Sequence, residues 1–209
     1  MTNKEFQIHN LWPVPIYQSN IPVREKWKEY VKSLNYKRTH IKNSDISDDR
    51  YILNSMPELK SEIELHCENY VRKYLSISKN VEFYLLNSWS NVHKPKDGSQ
   101  IHYHGNSLLS GVYYPILPKN SGNINFHMGS HINNIFPKAI LVEYDEYNNL
   151  NASRYELALE EGSIVLFPSP LEHSVEKNNS LDDRYSIAFN FFIRGSLGKE
   201  EYALKLDLN

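Results

Sequence analysis

The chain has 209 residues, 23 basic against 25 acidic side chains, a net charge of −2 and 40% hydrophobic content. This suits one domain with a substantial core and excludes wholesale disorder. No basic stripe interleaved with aromatics is present, which argues against a nucleic-acid partner, and no apolar run or opening pattern suggests a membrane span or a signal peptide. The single cysteine, Cys67, cannot form an internal disulfide, which suits a reducing cytoplasm.

In chain order, Leu11-Trp-Pro-Val-Pro-Ile-Tyr17 is apolar but twice broken by proline. It reads as an edge strand or extended arm, because proline cannot donate to a ladder. Residues 23–34 suit a short helix and residues 35–49 a polar connection. The clearest helix follows: Leu59, Ile63, Tyr70, Val71, Tyr74 and Leu75 recur at helical spacing, Pro57 suits the first turn and Ser55 offers a cap. One face of this helix is expected to lie on a sheet, with Cys67 as a small buried hydrophobe.

From Val81 the pattern changes to strands, and the 15 tyrosines and 8 phenylalanines favour them. In residues 81–92, Val81, Phe83, Leu85 and Trp89 share a parity. Residues 94–99 form a turn cluster, and further strands are expected at 108–117, 124–127, 140–144, 154–159, 164–167, 172–177 and 185–194. Turns fall at Ser121-Gly122, 160–162 and 178–183. Helices precede strands with no βαβ alternation, so the expected fold is mainly β, a jelly roll and not a parallel Rossmann-type sheet. The expected organisation is a single domain over 1–209. An N-terminal arm and helices occupy 1–80, the jelly-roll core 81–195 and a C-terminal extension 196–209.

The chemistry centres on Gln100-Ile-His-Tyr-His-Gly-Asn-Ser-Leu-Leu-Ser-Gly-Val-Tyr-Tyr114. In an extended chain residues i and i+2 share a face, so His102 and His104 can converge on one point while Tyr103 turns away. A histidine pair before a glycine turn can also be a surface accident. His173 after Ile164-Val-Leu-Phe167 and Arg184 at the head of another strand strengthen the metal reading, and imidazole suits iron, zinc, copper or nickel. Period 2 in the last strand puts Arg184, Ser186, Ala188 and Asn190 on one face and Tyr185, Ile187, Phe189 and Phe191 on the other. Arg184 can grip a carboxylate with two parallel bonds and Ser186 can add a third; the plainer alternative is an ion pair with Asp182 or Asp183. Among the other histidines, His93 reads first as a loop residue and only then as an outer partner of the site or a substitute ligand, His127 and His131 as turn residues, and His66 as a helix residue. Phe167-Pro-Ser-Pro170 reads as a rigid corner that presents His173.

Several stretches together resemble the Fe(II)- and 2-oxoglutarate-dependent oxygenase superfamily. They are Leu11-Trp-Pro-Val-Pro-Ile-Tyr17, Asn87-Ser-Trp-Ser-Asn91, His102-Tyr-His104 with Leu109-Ser-Gly-Val-Tyr-Tyr114, Ile164-Val-Leu-Phe-Pro-Ser169 with His173, and Arg184-Tyr-Ser-Ile-Ala-Phe-Asn190. The likeness is closest to a small oxygenase group common in phages and bacteria, which implies the host cytoplasm if the chain is phage-encoded. It implies a cupin-like double-stranded β-helix with the N-terminal helices packed outside. It also implies Fe(II) held by an early histidine, an acidic residue two positions later and a distal histidine.

His102 and His173 take the histidine places, whereas His104 stands where the family has a carboxylate. A second register, with His104 first and Asn106 next, uses a poorer ligand. The resemblance places Arg184 and Ser186 on the far carboxylate of 2-oxoglutarate and counts Asn190 and Tyr114 among the cofactor-binding residues. The expected partners are 2-oxoglutarate, O2 and an unknown substrate, with hydroxylation releasing succinate and CO2. Two alternatives stand beside this: a non-catalytic metal-binding jelly roll, and a three-histidine cupin-type dioxygenase that uses no 2-oxoglutarate.

Overall fold

The computed structural model describes residues 7–11, 13–39, 43–129, 143–198 and 200–206. In chain order these form β1 (Tyr17–Asn20), α1 (Glu25–Ser33), β2 (Tyr36–Thr39), β3 (Ser44–Ser47), a 3₁₀ turn (Ile52–Ser55) and α2 (Pro57–Glu68), which continues as a π-helical turn (Asn69–Tyr74). Strands follow: β4 (Val81–His93), β5 (Ser99–His102), β6 (Leu109–Ile116), β7 (Ile124–His127), β8 (Arg154–Leu157), β9 (Ser163–Pro168), β10 (His173–Val175) and β11 (Arg184–Leu197). A 3₁₀ turn (Glu200–Tyr202) leads to β12 (Leu204–Leu206), which returns on β11.

Among the described residues there are two sheets. The larger has the order β1-β9-β6-β11-β4-β3-β2, with β12 attached to β11; the smaller has the order β5-β10-β7-β8. All pairings between these strands are antiparallel. Trp89, Val112, Val165 and Phe167 of the larger sheet meet Ile124 and Phe126 of the smaller in one apolar layer. The larger sheet's other face carries Leu109, Tyr113, Ile164, Leu166, Ile187, Phe189 and Phe191, packed under Trp27, Val31, Leu59, Ile63, Cys67, Tyr70 and Val71 of the helical segments. The protein is therefore mainly β, a double-stranded β-helix with its N-terminal helices outside one sheet. No helix among the described residues is long and apolar enough to cross a membrane.

The helix expected after Pro57 forms, but Ser55 does not cap it. Met56 occupies the N-cap with no side-chain cap bond, and Ser55 closes the preceding 3₁₀ turn. Burial of Leu59, Ile63 and Cys67 holds the helix instead. The edge strand expected at 11–17 begins only at Tyr17, past the prolines, and pairs with β9.

Two expectations are corrected. Residues 35–49 are not a connection: β2 pairs with β3, and β3 pairs with β4, which widens the larger sheet. Their polarity conceals this because hydrogen bonds satisfy the buried groups. Ser47 Oγ accepts from Ser90 N, and Asp45 meets both Arg38 and Lys94. The shared parity of Phe83, Leu85 and Trp89 also fails. Opposite β11, Asn190 pairs with Asn87 but Phe191 pairs with Leu85, so the register shifts by one residue. Such a bulge turns the strand over. Phe83 and Leu85 pack beneath the helices, whereas Trp89 enters the layer between the sheets. The expected strand at 140–144 lies largely outside the described residues, and 143–144 are not extended into a strand.

Gly111 lies on the helix-facing side of β6, opposite Phe189 on β11 and Leu166 on β9. A Cβ there would come 2.3 Å from the Phe189 ring and 2.7 Å from Leu166 Cδ2. Overpacking of this kind costs typically about 1–3 kcal/mol. Gly111→Ala is expected to lower unfolding free energy by that amount in urea titration, with the slope unchanged.

Candidate functional site

The inner faces of β4 and β11 build one wall of a cavity. Their register sets Arg184 beside His93, Ser186 beside Asn91, Ala188 beside Trp89 and Asn190 beside Asn87. Val112 and Tyr114 of β6 continue this wall, while His102, His173 and Ile124 close it from the smaller sheet. The space between is a narrow cavity lined by both sheets.

Three of the expected site residues meet at one end. His102 and His173 face each other across the β5–β10 pair, and His104 comes from the segment after β5. Ring centroids are 4.3 Å apart for His102–His173, 5.1 Å for His104–His173 and 5.7 Å for His102–His104. One ring nitrogen from each lies within 4.8 Å of the other two. Both strand histidines orient themselves locally: His102 Nδ1 donates to Gln100 O at 2.8 Å, and His173 Nδ1 to Leu171 O at 3.0 Å. Carbonyls only accept, so Nδ1 carries the proton and Nε2 is the nitrogen each ring can turn to a metal. His104 is held through its backbone by Ser169 O at 3.0 Å and through Nδ1 by Asn190 Oδ1 at 2.7 Å.

These imidazoles fit a divalent metal of borderline softness. Three nitrogens bound at about 2.1 Å would stand about 3 Å apart on an octahedral face, so modest side-chain rotations would close the set. Asn106, the alternative partner, sits exposed in a bend at φ 59° and does not line the cavity.

At the other end lies Arg184, 1% exposed. Its Nη1 donates to the carbonyls of Ser121 (2.9 Å) and Gly122 (3.0 Å), while Nε is buried without a hydrogen-bond partner. Neither Asp182 nor Asp183 pairs with it, and among the described residues no carboxylate lies within ion-pair distance. Burial pushes its pKa down to about 10, against the opposing influence of Tyr114 and Glu176. It therefore remains a cation at neutral pH. Burial also raises the Tyr114 phenol well above its ordinary range, so the hydroxyl stays neutral beside that cation.

Ser186 and Tyr114 line the cavity with Arg184, whereas Asn190 sits behind His104 and hydrogen-bonds the ring. His93 is not a loop residue: it ends β4, buried, with Nε2 2.9 Å from Ser99 Oγ. His127 likewise ends β7, with Nε2 2.8 Å from Ser174 Oγ, and His131 lies outside the described residues. His66 stays on α2, its Nδ1 2.7 Å from the Tyr17 hydroxyl. Sequence reasoning missed Asn87, Ser110 and Ser169 around His104. The signal available was the run of hydrogen-bonding groups at Asn87, Trp89, Asn91 and His93, which marks one polar face of β4.

The cavity of this double-stranded β-helix thus carries three imidazoles at one end and, at the other, a buried arginine with no ion-paired acid among the described residues. Residues 87–190, which span all of these groups, match the family model described as "Putative 2OG-Fe(II) oxygenase". The chain belongs, through that stretch, to the 2OG-Fe(II) oxygenases. Its fold is similar to the non-heme alpha ketoglutarate dependent epimerase SnoN from nogalamycin biosynthesis, at TM-score 0.60 and 14% identity over 86% of this chain and 78% of that one. HygX from Streptomyces hygroscopicus, crystallised with nickel, 2-oxoglutarate and hygromycin B, gives TM-score 0.57 and 14% identity over 86% and 83%. A Pseudomonas putida prolyl-4-hydroxylase gives TM-score 0.52 and 14% identity over 87% and 94%. At this identity the likeness is one of fold. No curated protein matches the chain in sequence.

The metal-free protein is expected to take up one Co(II) or Zn(II) per chain. His173→Ala should weaken that binding by more than about 100-fold, the upper end of what losing an outer-shell partner costs, because it removes a ligand itself. Calorimetric titration with metal analysis checks both; unchanged stoichiometry and affinity in the variant would remove His173 from the site.

Proposed function

We propose that the protein is an Fe(II)- and 2-oxoglutarate-dependent dioxygenase that hydroxylates a substrate of unassigned identity. His102, His104 and His173 hold the metal in this reading, and Arg184 with Ser186 grips the far carboxylate of 2-oxoglutarate. Arg184 carries the argument. A guanidinium 1% exposed, anchored among the described residues by two neutral carbonyls, is a costly arrangement unless an anion completes it. It shares its cavity with the imidazole cluster, so an anion that reaches Arg184 can also reach a metal.

The bound metal would supply O2 activation coupled to oxidative decarboxylation of 2-oxoglutarate to succinate and CO2. The chain's own residues orient and enclose. Nη1 bonded to Ser121 and Gly122 fixes the guanidinium plane, so its remaining N–H groups face a carboxylate in a set geometry. Ser186, on the same face of β11, can add a hydroxyl donor, and neutral Tyr114 can add another. Val112, Ile124 and Ala188 line the space between the two ends with apolar surface, which excludes water from the diacid's methylene groups.

One observation favours a second reading. Among the described residues the cluster holds three imidazoles and no carboxylate, as in a three-histidine dioxygenase that uses no 2-oxoglutarate. The two readings separate on anaerobic titration of 2-oxoglutarate into Fe(II)-loaded protein, followed by assay of succinate in air. The first expects saturable binding and succinate release. Metal binding with neither leaves a three-histidine dioxygenase or a non-catalytic metal-binding module.

Arg184→Ala should weaken 2-oxoglutarate binding by roughly 10- to 100-fold for each charge-assisted bond lost, since each contributes about 1.5–3 kcal/mol. Metal affinity should stay near that of the wild type. Equal 2-oxoglutarate affinity in variant and wild type would return Arg184 to a structural role.

A further inference from the structure

His104 is oriented differently from the other two histidines. His102 and His173 each donate to a carbonyl two residues back in their own chain. The chain bends at Gly105 and Asn106 instead of extending β5, and the acceptor for His104 Nδ1 comes from β11, 86 residues away: Asn190 Oδ1 at 2.7 Å. That amide is itself fixed. Asn190 Nδ2 donates to Asn87 Oδ1 at 2.9 Å across the β4–β11 pair, which turns Oδ1 towards the histidine.

A file of hydroxyls feeds the same oxygen. Ser107 Oγ donates to Ser169 Oγ at 2.9 Å, Ser169 Oγ lies 2.8 Å from Ser110 Oγ, and Ser110 Oγ donates to Asn190 Oδ1 at 2.8 Å. Ser110 Oγ is also 2.9 Å from His104 Nδ1. Ser110 and Ser169 are 0% exposed and Asn190 6%. With Ser169 donating to Ser110, each hydroxyl gives one proton forward, and Asn190 Oδ1 accepts from Ser110 and from His104. If His104 presented a lone pair at Nδ1, two acceptors would face each other at 2.7 Å.

Packing alone does not call for this arrangement. Three strands and the Pro168–Pro170 corner could meet at this place through apolar side chains, and replacing both partners of a buried hydrogen bond by apolar groups is often near-neutral. The buried polar groups converge instead on one atom outside both sheets, the nitrogen of His104 that faces away from the cluster.

We propose that Asn190 and Ser110 are positioning residues for His104: they hold its Nδ1–H tautomer and ring plane so that Nε2 serves as the third metal ligand. The inference rests on the reading of His102, His104 and His173 as a metal site. Asn190 thereby acts through His104 and not on the cosubstrate. Its amide is a neutral acceptor, so the third ligand stays a neutral imidazole.

The test is Co(II) affinity, by chelator competition, with the visible Co(II) spectrum as a second readout. Asn190→Leu keeps the side-chain size and removes the acceptor; it should weaken Co(II) binding by about 10- to 100-fold, the cost of losing an outer partner. Ser110→Ala leaves Asn190 in place and should give a smaller loss with the same sign. Asn190→Asp restores an acceptor and adds a charge, and should bind Co(II) at least as tightly as the wild type with a shifted spectrum. A merely structural role would lower thermal stability in all three while the folded proteins kept wild-type Co(II) affinity and spectrum, and that result overturns the inference. Failure of Asn190→Asp to recover affinity lost in Asn190→Leu also overturns it. A wild-type protein that binds no Co(II) would instead defeat the metal-site reading beneath it.

Discussion

The pairing of β11 with β4 fixes the position of everything else. It runs without interruption from Arg184 opposite His93 to Asn190 opposite Asn87, then shifts by one residue and continues to Gly195 opposite Val81. Before the shift, the even positions of β11 and the odd positions of β4 face the smaller sheet and carry Arg184, Ser186, Asn190, Asn87, Asn91 and His93. The odd positions of β11 face the helices and carry Ile187, Phe189 and Phe191. One strand thus serves two solvents at once. Its apolar face provides the burial that holds α1 and α2, at about 25 cal/mol per Å² removed from water, and this supports the polar face against its own desolvation.

The two ends of the cavity impose complementary electrostatic demands. Arg184 contributes a buried positive charge with no ion-paired acid among the described residues, and the three imidazoles contribute ligands but no negative charge. A divalent ion bound there would leave the cavity with an excess of positive charge at both ends. A small dicarboxylate with one charge near each end answers both, which is the electrostatic case for a diacid cosubstrate over a monoanion. Tyr114, neutral and buried against Arg184, adds a hydroxyl without adding charge.

Much of this was legible in the sequence because it rests on short regular periods, 2 in strands and 3.6 in helices. The alternation of β11, the i and i+2 spacing of His102 and His104, and the apolar face of α2 are local patterns that translate directly into faces. What escaped detection depends on irregularity or on distance. The bulge opposite Phe191 leaves no residue signature, yet it reverses Phe83 and Leu85 relative to Trp89. The hairpin of β2 and β3 is hidden because Ser44, Asp45 and Ser47 are buried through hydrogen bonds and ion pairs instead of apolar burial. The Pro168–Pro170 corner resembled simple punctuation, but Ser169 within it grips the backbone of His104 and links Ser107 to Ser110. That arrangement brings together residues about sixty positions apart, so no local pattern could reveal it.

The same arrangement gives a physical reason for a histidine at the place where the family resemblance implies a carboxylate. Asn190 Oδ1, 2.7 Å from His104 Nδ1, requires a donor at that place, and Ser110 Oγ at 2.9 Å can accept from the same donor. An aspartate at 104 is an acceptor only. It would set its oxygens against the amide oxygen of Asn190 unless both Asn190 and Asn87 turned over, and the hydroxyl file from Ser107 would then end on an amide that donates. In the proposed metal site the choice of side chain at 104 is therefore bound to the residues at 87, 110, 169 and 190, and the third ligand would be a property of three strands and a corner rather than of one position.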